Sequence, residues 1–261
     1  ILDFVINSLL IKKLRRLKGY TKETKEVFEK YAIVIAFLAL LIVVSILCSS
    51  FLTPSNLILV LNQTSINGIL AVGITYVLIT AGIDISIGSV VGLSGVISAM
   101  VVKAGAPLPV GFLCGILAGT LVGVIIGILV TKGKLAPYIV TLGFLTIIRG
   151  AALLIAGGRP ISSLGDAYGW IGNHNVFGVI PCPVIIFLIV VVIGHIILAH
   201  LQIGRYIYAV GGNSNAAEAC GISPNKVKMF VHVFCGTCAG LAGVILSSRV
   251  ITGHPGAGEG Y

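Results

Sequence analysis

The sequence predicts an all-α protein: a polytopic integral membrane bundle of about seven helices. Of its 261 residues, 57% are hydrophobic and only 10% are charged, whereas about a quarter of the residues in a soluble domain carry charge. Several apolar runs approach the ~20 residues that a helix needs to cross a bilayer core. The alternating ten-residue pattern of a transmembrane barrel is not visible, so helices are the expected way to satisfy the backbone in lipid.

Seven apolar stretches are predicted to span the membrane. They divide the chain into a basic N-terminal segment, residues 1–30, and a transmembrane domain, residues 31–261. Because Ile1 is not an initiator and the sequence stops at Tyr261 without a helix cap or a charged tail, we expect a C-terminally truncated chain and an incomplete domain. The predicted spans are residues 32–52, 66–82, 88–103, 109–131, 138–156, 180–200 and 226–248.

The basic residues indicate the orientation of these spans. If the N-terminus is cytoplasmic, thirteen of the 17 Lys and Arg residues fall on the cytoplasmic side and three outside, while Arg149 lies within a span. Eight of the thirteen lie between Lys12 and Lys30. An excess of positive charge in cytoplasmic loops is the usual topology signal. The net charge of +9 is therefore attributed to membrane orientation and not to nucleic-acid binding.

The fourth predicted span carries a stripe of small residues. Glycine recurs there at every fourth position, which lets two helix backbones approach closely. Two interpretations are open: tight packing within one subunit, or surfaces that slide during a conformational cycle. The stripe consists of Gly111, Gly115, Gly119, Gly123 and Gly127.

A polar segment, residues 201–228, separates the last two predicted spans and is placed in the cytoplasm by the charge bias. Its local sequence signals indicate a short helix with a start signal and a stop signal. In chain order they are a flexible joint at Gly211-Gly212, a capping box at Asn215 and Glu218 with Asn replacing the usual Ser or Thr, a left-handed C-cap at Gly221, and a new helix start at Ser223-Pro224.

Asp84 and Arg149 are the ionisable residues nearest to membrane depth, and such residues are functional candidates. Asp84 lies in the segment Gly82–Ile87, near Ser86 and Ser89, and this segment is either a short loop or a break inside the membrane. Asp84 then either lines a polar pathway with these serines or caps the third span. Arg149 either faces the pathway, pairs structurally or extends toward the lipid headgroups.

No catalytic or metal site is predicted. Cys235 and Cys238 have a redox-type spacing but lie within an apolar span, where helix packing is the favoured interpretation. His195, His200 and His232 stand singly without metal-ligand spacing. The loop of residues 157–178 holds the only tryptophan, Trp170, as an interfacial anchor or as part of a docking surface.

Four ordered blocks of this sequence resemble the permease subunits of ribose-type carbohydrate ABC importers. The resemblance covers most of residues 50–261, but that family continues past the final Glu-Gly-Tyr with further membrane helices. The blocks are Gly82–Gly88 (GIDISIG); Thr141-Leu142-Gly143 through Arg149-Gly150 to Gly158–Ile161; Gly212-Asn213, Ala216-Ala217 and Gly221-Ile222; and Ala239–Gly243 with Ser248-Arg249 and Gly258–Tyr261.

The resemblance implies a transport subunit of the bacterial cytoplasmic (inner) membrane that has no enzymatic activity of its own. Its substrate would be a ribose-like pentose or a hexose. The implied partners are a second permease subunit, identical or not, a cytoplasmic ATPase that uses ATP and Mg²⁺, an extracytoplasmic sugar-binding protein and membrane lipid; the chain itself is expected to bind no cofactor. The residues expected to couple to the ATPase are Gly212, Asn213, Ala216, Ala217, Glu218, Gly221 and Ile222.

Two alternatives are kept. One is an ion- or proton-coupled secondary transporter in which Asp84 and Arg149 relay charge. The other is an amino-acid permease of the same superfamily as the sugar permeases.

Overall fold

A computed structural model describes residues 31–176, 178 and 180–261, and helices dominate this part of the chain. The predicted basic segment, residues 1–30, lies outside the described residues. The elements are α1 (Tyr31–Leu47), α2 (Pro54–Ile79), α3 (Ile87–Lys103), α4 (Leu108–Thr131), α5 (Pro137–Ile155), a 3₁₀ turn (Asp166–Gly169), α6 (Trp170–Asn173), the hairpin strands β1 (Asn175–Val176) and β2 (Ile180–Pro181), α7 (Cys182–Ala199), α8 (Gln202–Gly212), α9 (Ser214–Ala219) and α10 (Pro224–Val250).

The predicted fold class is confirmed, because each of the seven predicted spans coincides with a helix. Among the described residues, five helices are long and apolar enough to cross a membrane (α2, α4, α5, α7 and α10), and α1 and α3 are shorter apolar helices. The largest error concerns α2, which begins at Pro54 and not at residue 66. Polar side chains such as Asn62 and Gln63 lower the hydropathy of its first turns without breaking the helix. Ser65 even donates its hydroxyl to the Leu61 carbonyl within it.

The chain divides into two compact units, Ile1–Leu57 and Ile58–Tyr261. In the described part of the first unit, α1 ends in a turn in which the Phe51 amide donates to the Cys48 carbonyl. The second unit contains the remaining helices and the two core clusters of buried side chains. All the candidate residues of the transmembrane domain lie in this second unit.

Helix α10 forms the centre of the second unit and packs against α4 and α3. All five glycines of the α4 stripe are buried. A Cβ at Gly119 would lie 2.5 Å from the Gly236 carbonyl oxygen of α10, and one at Gly123 would collide with the His232 carbonyl. The backbones of α4 and α10 are therefore in direct contact. Packing within one subunit accounts for the stripe, and a sliding role stays a prediction.

The loop after α5 covers the C-terminal end of α10. Tyr168 is fully buried, and its hydroxyl donates to Ser98 Oγ at 3.0 Å and lies 2.8 Å from Ser247 Oγ. Burial raises the pKa of the Tyr168 phenol above its ordinary value, so it stays protonated. The Ile161 and Gly253 backbones exchange hydrogen bonds at 2.9 Å. This loop is fixed to α3 and α10 by specific polar contacts.

The last residues turn back along α3. A Cβ at Gly92 would lie 2.7 Å from the Ala257 carbonyl oxygen, and one at Gly88 would collide with the Gly258 carbonyl. Gly258 itself has a φ of +91°, in the region that favours glycine. The close approach brings Glu259 and Tyr261 beside the membrane helices.

Candidate functional site

The connection between α2 and α3 is a non-helical break whose polar side chains are buried. It is non-helical from Thr80 to Ser86, and Ala81 adopts a left-handed φ of +57°. Asp84 is 5% exposed and Ser86 fully buried, while the Thr141 hydroxyl of α5 donates to the Ile83 carbonyl at 3.2 Å. Burial of a carboxylate and backbone ends in a protein interior requires internal hydrogen bonds. Residues 82–87 thus form a break packed against α5, and the position of this break within the membrane stays a prediction.

Asp84 does not cap α3, which corrects one interpretation of the sequence. The N-cap residue is Ser86, and Asp84 Oδ1 accepts from the Ser86 amide at 2.9 Å and from its hydroxyl at 2.6 Å. A side-chain oxygen bonded to the amide two residues later is an Asx turn. Ser89 donates to the Leu145 carbonyl at 2.7 Å. Asp84, Ser86 and Ser89 are thus all buried in this conformation, and their role in a pathway stays a prediction.

The second oxygen of Asp84 faces a histidine that sequence reasoning left aside. His232 Nδ1 of α10 lies 3.9 Å from Asp84 Oδ2, and the two side chains are 2% and 5% exposed. Nδ1 has no hydrogen-bond partner among the described residues. A lone histidine in an apolar run gives no sequence signal of its partner, because Asp84 lies far away in the sequence, in the connection between α2 and α3.

Arg149 is paired with Glu259 and not with Asp84. Its Nη1 lies 2.5 Å from Glu259 Oε1, and the side chains are 26% and 66% exposed. The structure therefore supports the interpretation of Arg149 as a structurally paired charge. It also separates Arg149 from Asp84, since each has its own partner.

A chain of polar groups continues from this ion pair across three helices and the last residues. Arg249 Nη1 of α10 donates to Gln63 Oε1 of α2 at 2.7 Å, and Gln63 Nε2 donates to the Tyr261 hydroxyl at 3.2 Å. Tyr261 lies two residues after Glu259, the partner of Arg149. We call the set Gln63, Arg149, Arg249, Glu259 and Tyr261 the polar strip. Charged groups at the surface of a membrane bundle face water or another subunit more readily than lipid.

The polar segment after α7 folds as two helices, which corrects the predicted joint. Gly211 and Gly212 form the last turn of α8 and are not a flexible joint. A Cβ at Gly211 would collide with the Ile79 carbonyl, so a glycine is needed for α8 to approach the end of α2. Ile207 and Val210 of α8 are buried on the same side.

The predicted capping box is also wrong. Asn213 is the N-cap of α9, and its Oδ1 accepts from the Ala216 amide at 3.0 Å. Asn213 has an extended backbone (φ −157°, ψ 106°), as an N-cap requires, whereas Asn215 is already helical. Glu218 therefore lies in the last turn of α9 and does not reach back to an N-cap.

The predicted C-cap and the next helix start are confirmed. Gly221 has a φ of +82°, its amide donates to the Glu218 carbonyl at 2.9 Å, and the Ile222 amide donates to Ala217 at 3.0 Å. These two bonds form a Schellman motif. Ser223 is the N-cap of α10 and Pro224 its first residue. Only four residues, Cys220–Ser223, separate α9 from α10, so the two helices are rigidly joined.

Helix α9 has one buried and one exposed side. Ala217 is 5% exposed, whereas Asn215, Ala216 and Glu218 are exposed. A cleft of about 270 Å³ lies beside it, lined by residues that include Tyr206, Ile222 and Lys226. The arrangement presents a small-residue surface at the end of a long membrane helix.

Comparison with known proteins identifies the family. Residues 56–261 match the family described as the permease component of the branched-chain amino acid transport system. The chain belongs to this family of transport permeases. No solved structure shows significant similarity to it.

The most similar curated relatives that we compared are sugar permeases. The permease is 41% identical over 236 residues to the ribose import permease protein RbsC of Bacillus subtilis (strain 168), which covers 90% of this chain and 73% of that one. It is 42% identical over 235 residues to RbsC of Haemophilus influenzae, with coverages of 87% and 71%. It is 35% identical over 239 residues to the D-allose permease AlsC of Escherichia coli, with coverages of 90% and 72%.

The remaining candidates of the permease are an aromatic residue and two cysteines. Trp170 is 58% exposed and stacks on His174 with ring centroids 5.3 Å apart, which leaves both the anchor and the docking interpretation as predictions. Cys235 and Cys238 are buried and unpaired by disulfides. Within the described residues, no group of three or more His, Cys, Asp or Glu side chains is placed to hold a metal ion.

Sequence reasoning missed Gln63 and His232, and it treated Glu259 only as part of a block. Gln63 lies in the polar first half of α2, which was assigned to a loop. A longer helix there would have brought Gln63 to the level of Arg249. The pairing of His232 with Asp84 had no equivalent signal.

Proposed function

We propose that this permease is the membrane-spanning subunit of an ATP-binding-cassette importer that moves a monosaccharide, a ribose-like pentose or a hexose, across the bacterial cytoplasmic membrane. The observation that carries the proposal is α9, an exposed helix capped at both ends and rigidly joined to α10. The similarity to ribose and allose permeases supports a sugar as the substrate.

The external face of α9 is the proposed contact for a cytoplasmic ATPase. Asn213, Ala216 and Glu218 are exposed there and are available to a partner. Ala217, Gly221 and Ile222 instead hold the segment together, through burial of Ala217 and the Schellman bonds. ATP and Mg²⁺ would be used by that ATPase. Gly212 contributes to the last turn of α8.

The same segment supports the proposed orientation. Arg205 and Lys226 are exposed on either side of α9. Together with the basic residues 12–30 they favour a cytoplasmic N-terminus and a cytoplasmic α9. An extracytoplasmic sugar-binding protein would then meet the opposite end of the bundle. A second permease subunit would meet its flank.

The polar strip is the proposed contact for the sugar. Sugar hydroxyls need both donors and acceptors, and the strip offers the Gln63 amide, the Arg149 and Arg249 guanidinium groups and the Glu259 carboxylate. Glu259 neutralises Arg149, whereas Arg249 bonds the neutral Gln63 amide, so the strip combines one ion pair with one further cation that can donate to a hydroxyl.

A charge relay between Asp84 and Arg149 is disfavoured. Asp84 is bonded to Ser86 and faces His232, whereas Arg149 is bonded to Glu259. A secondary transporter that uses these two charges as one pathway would need them to communicate. The distinct partners argue for the importer.

Radiolabelled uptake distinguishes the alternatives. The full-length permease is expressed with the ATPase and binding protein of the proposed importer in cells that lack their own ribose uptake. We expect ribose uptake to stop when ATP is depleted, to persist when an uncoupler is added with ATP maintained, and to resist excess leucine. Uptake abolished by the uncoupler alone would favour the secondary transporter, and competition by leucine would favour the amino-acid permease.

A further inference from the structure

Asp84 and His232 form a buried acid–base pair in the described part of the chain, and the proposed function gives this pair no task. Both side chains are at least nine-tenths buried, and they belong to different elements, the break and α10. Asp84 uses Oδ1 for the Asx turn with Ser86 and leaves Oδ2 toward His232. His232 Nδ1 has no other hydrogen-bond partner among the described residues.

The pair is open in this conformation by a small distance. The two atoms are 3.9 Å apart, whereas a charge-assisted N–H···O bond measures about 2.7–2.9 Å. A relative shift of about one ångström would therefore create a bond between two groups that are already desolvated. Because an unmade bond in a buried site is unfavourable, the open state is held by the surrounding packing.

Helix α10 connects this pair to α9, the proposed contact for the ATPase. His232 lies about two helical turns after Pro224, and Pro224 follows α9 directly through Gly221–Ser223. Val227 and Val231, on the intervening turns, are 2% and 0% exposed. A displacement of α9 is thus transmitted along a rigid, packed helix to the level of His232.

The break between α2 and α3 is the second partner of this contact. The backbone of α10 at His232 contacts Gly123 of α4 directly, so α10 and α4 move as one body there. Residues 80–86 are not helical, and they lead into α3 at Ser86 and Ser89, two of the predicted pathway residues. Relative motion between α10 and the break would change the Asp84–His232 separation first.

We propose that Asp84 and His232 form a buried latch, whose closing and opening transmit movement of the ATPase-bound α9 to the break between α2 and α3. The latch rests on the proposed function and assigns His232 as a positioning residue that acts through Asp84. It touches neither sugar nor ATP.

The test measures coupling in proteoliposomes that contain the full-length permease, its ATPase and its binding protein, with D-ribose as the substrate. His232→Leu removes the donor, His232→Gln keeps one, and Asp84→Asn keeps the Asx acceptor while removing the charge. His195→Leu is the matched control, since His195 is an exposed histidine of α7. The readout is the number of ATP molecules hydrolysed per ribose transported.

We expect His232→Leu and Asp84→Asn each to raise that ratio at least fivefold while ATP hydrolysis stays within twofold of the unmodified complex. His232→Gln should stay within threefold, and His195→Leu should be unchanged. The double variant should be no worse than the more affected single variant, because both remove the same contact. The isosteric Asp84→Asn keeps the test valid if His232→Leu does not fold.

A normal ratio in Asp84→Asn, or additive effects in the double variant, would overturn the latch. Failure of the proposed function has a different signature. In that case the unmodified complex itself would not transport ribose with ATP.

Discussion

Arg149 illustrates how a single charge is accommodated within an apolar helix. It lies in α5, is 26% exposed and bonds Glu259 at 2.5 Å. Its Nε is buried without a hydrogen-bond partner in the described residues. Pairing with Glu259 therefore holds the charge of Arg149 within the polar strip.

Arg149→Gln should reduce ribose uptake at least tenfold with membrane abundance within twofold, because it removes the ion pair and a donor of the polar strip. Lys103→Gln, which removes an exposed cation at the end of α3, is the control. The exchange Arg149→Glu with Glu259→Arg should recover part of the lost uptake. Uptake by Arg149→Gln equal to that of Lys103→Gln would exclude Arg149 from the pathway.

At the scale of elements, the contact between α4 and α10 is the main determinant of the bundle. Gly119 touches the Gly236 carbonyl oxygen and the Gly240 backbone. Close backbone approach of this kind gives van der Waals contact that lipid cannot replace.

Gly119→Ala should lower the free energy of unfolding in detergent by about 1–3 kcal/mol, the range for overpacking a filled interface. Gly143→Ala in α5 is the matched control, because a Cβ there has no atom within 4 Å. The midpoint of thermal unfolding is measured for both variants by a fluorescence assay that does not depend on cysteine thiols. Equal midpoints for the two variants would show that the stripe is not a tight contact.

Helix α9 gives a second prediction at this scale. Ala216→Arg places a charged, long side chain on the exposed face and should abolish co-purification of the ATPase while leaving the fold intact. Ala217→Arg is a poorer test, because Ala217 is buried within the permease. Ala136→Arg, at an exposed position before α5, should retain the ATPase. Retention by Ala216→Arg would refute the coupling role of α9.

The helices could be predicted and many of their contacts could not. Apolar runs fix the spans because lipid admits few alternatives. A glycine in the sequence can have more than one role. Gly221 has the predicted left-handed backbone, whereas Gly211 allows α8 to approach the end of α2. The Asn213 cap was missed because both Asn213 and Asn215 are residues that N-cap positions favour, and Asn215 has capping-box spacing to Glu218. The periodicity of apolar residues does not predict contacts such as that between His232 and Asp84, because these residues are far apart in the sequence.

At the scale of the whole molecule, orientation has a natural probe. Cys220 at the end of α9 is exposed, and α9 is proposed to be cytoplasmic. In a variant that keeps only Cys220, a membrane-impermeant maleimide should label inverted vesicles and spare intact spheroplasts. Labelling in spheroplasts would reverse the orientation and remove α9 from reach of a cytoplasmic ATPase.

The importer hypothesis is tested most directly by ribose uptake into proteoliposomes that contain the full-length permease, its ATPase and its binding protein. ATP on the side of α9 should drive ribose accumulation on that same side, and collapse of the proton gradient should leave the rate unchanged. Accumulation that follows an imposed proton or sodium gradient without ATP would contradict the proposal.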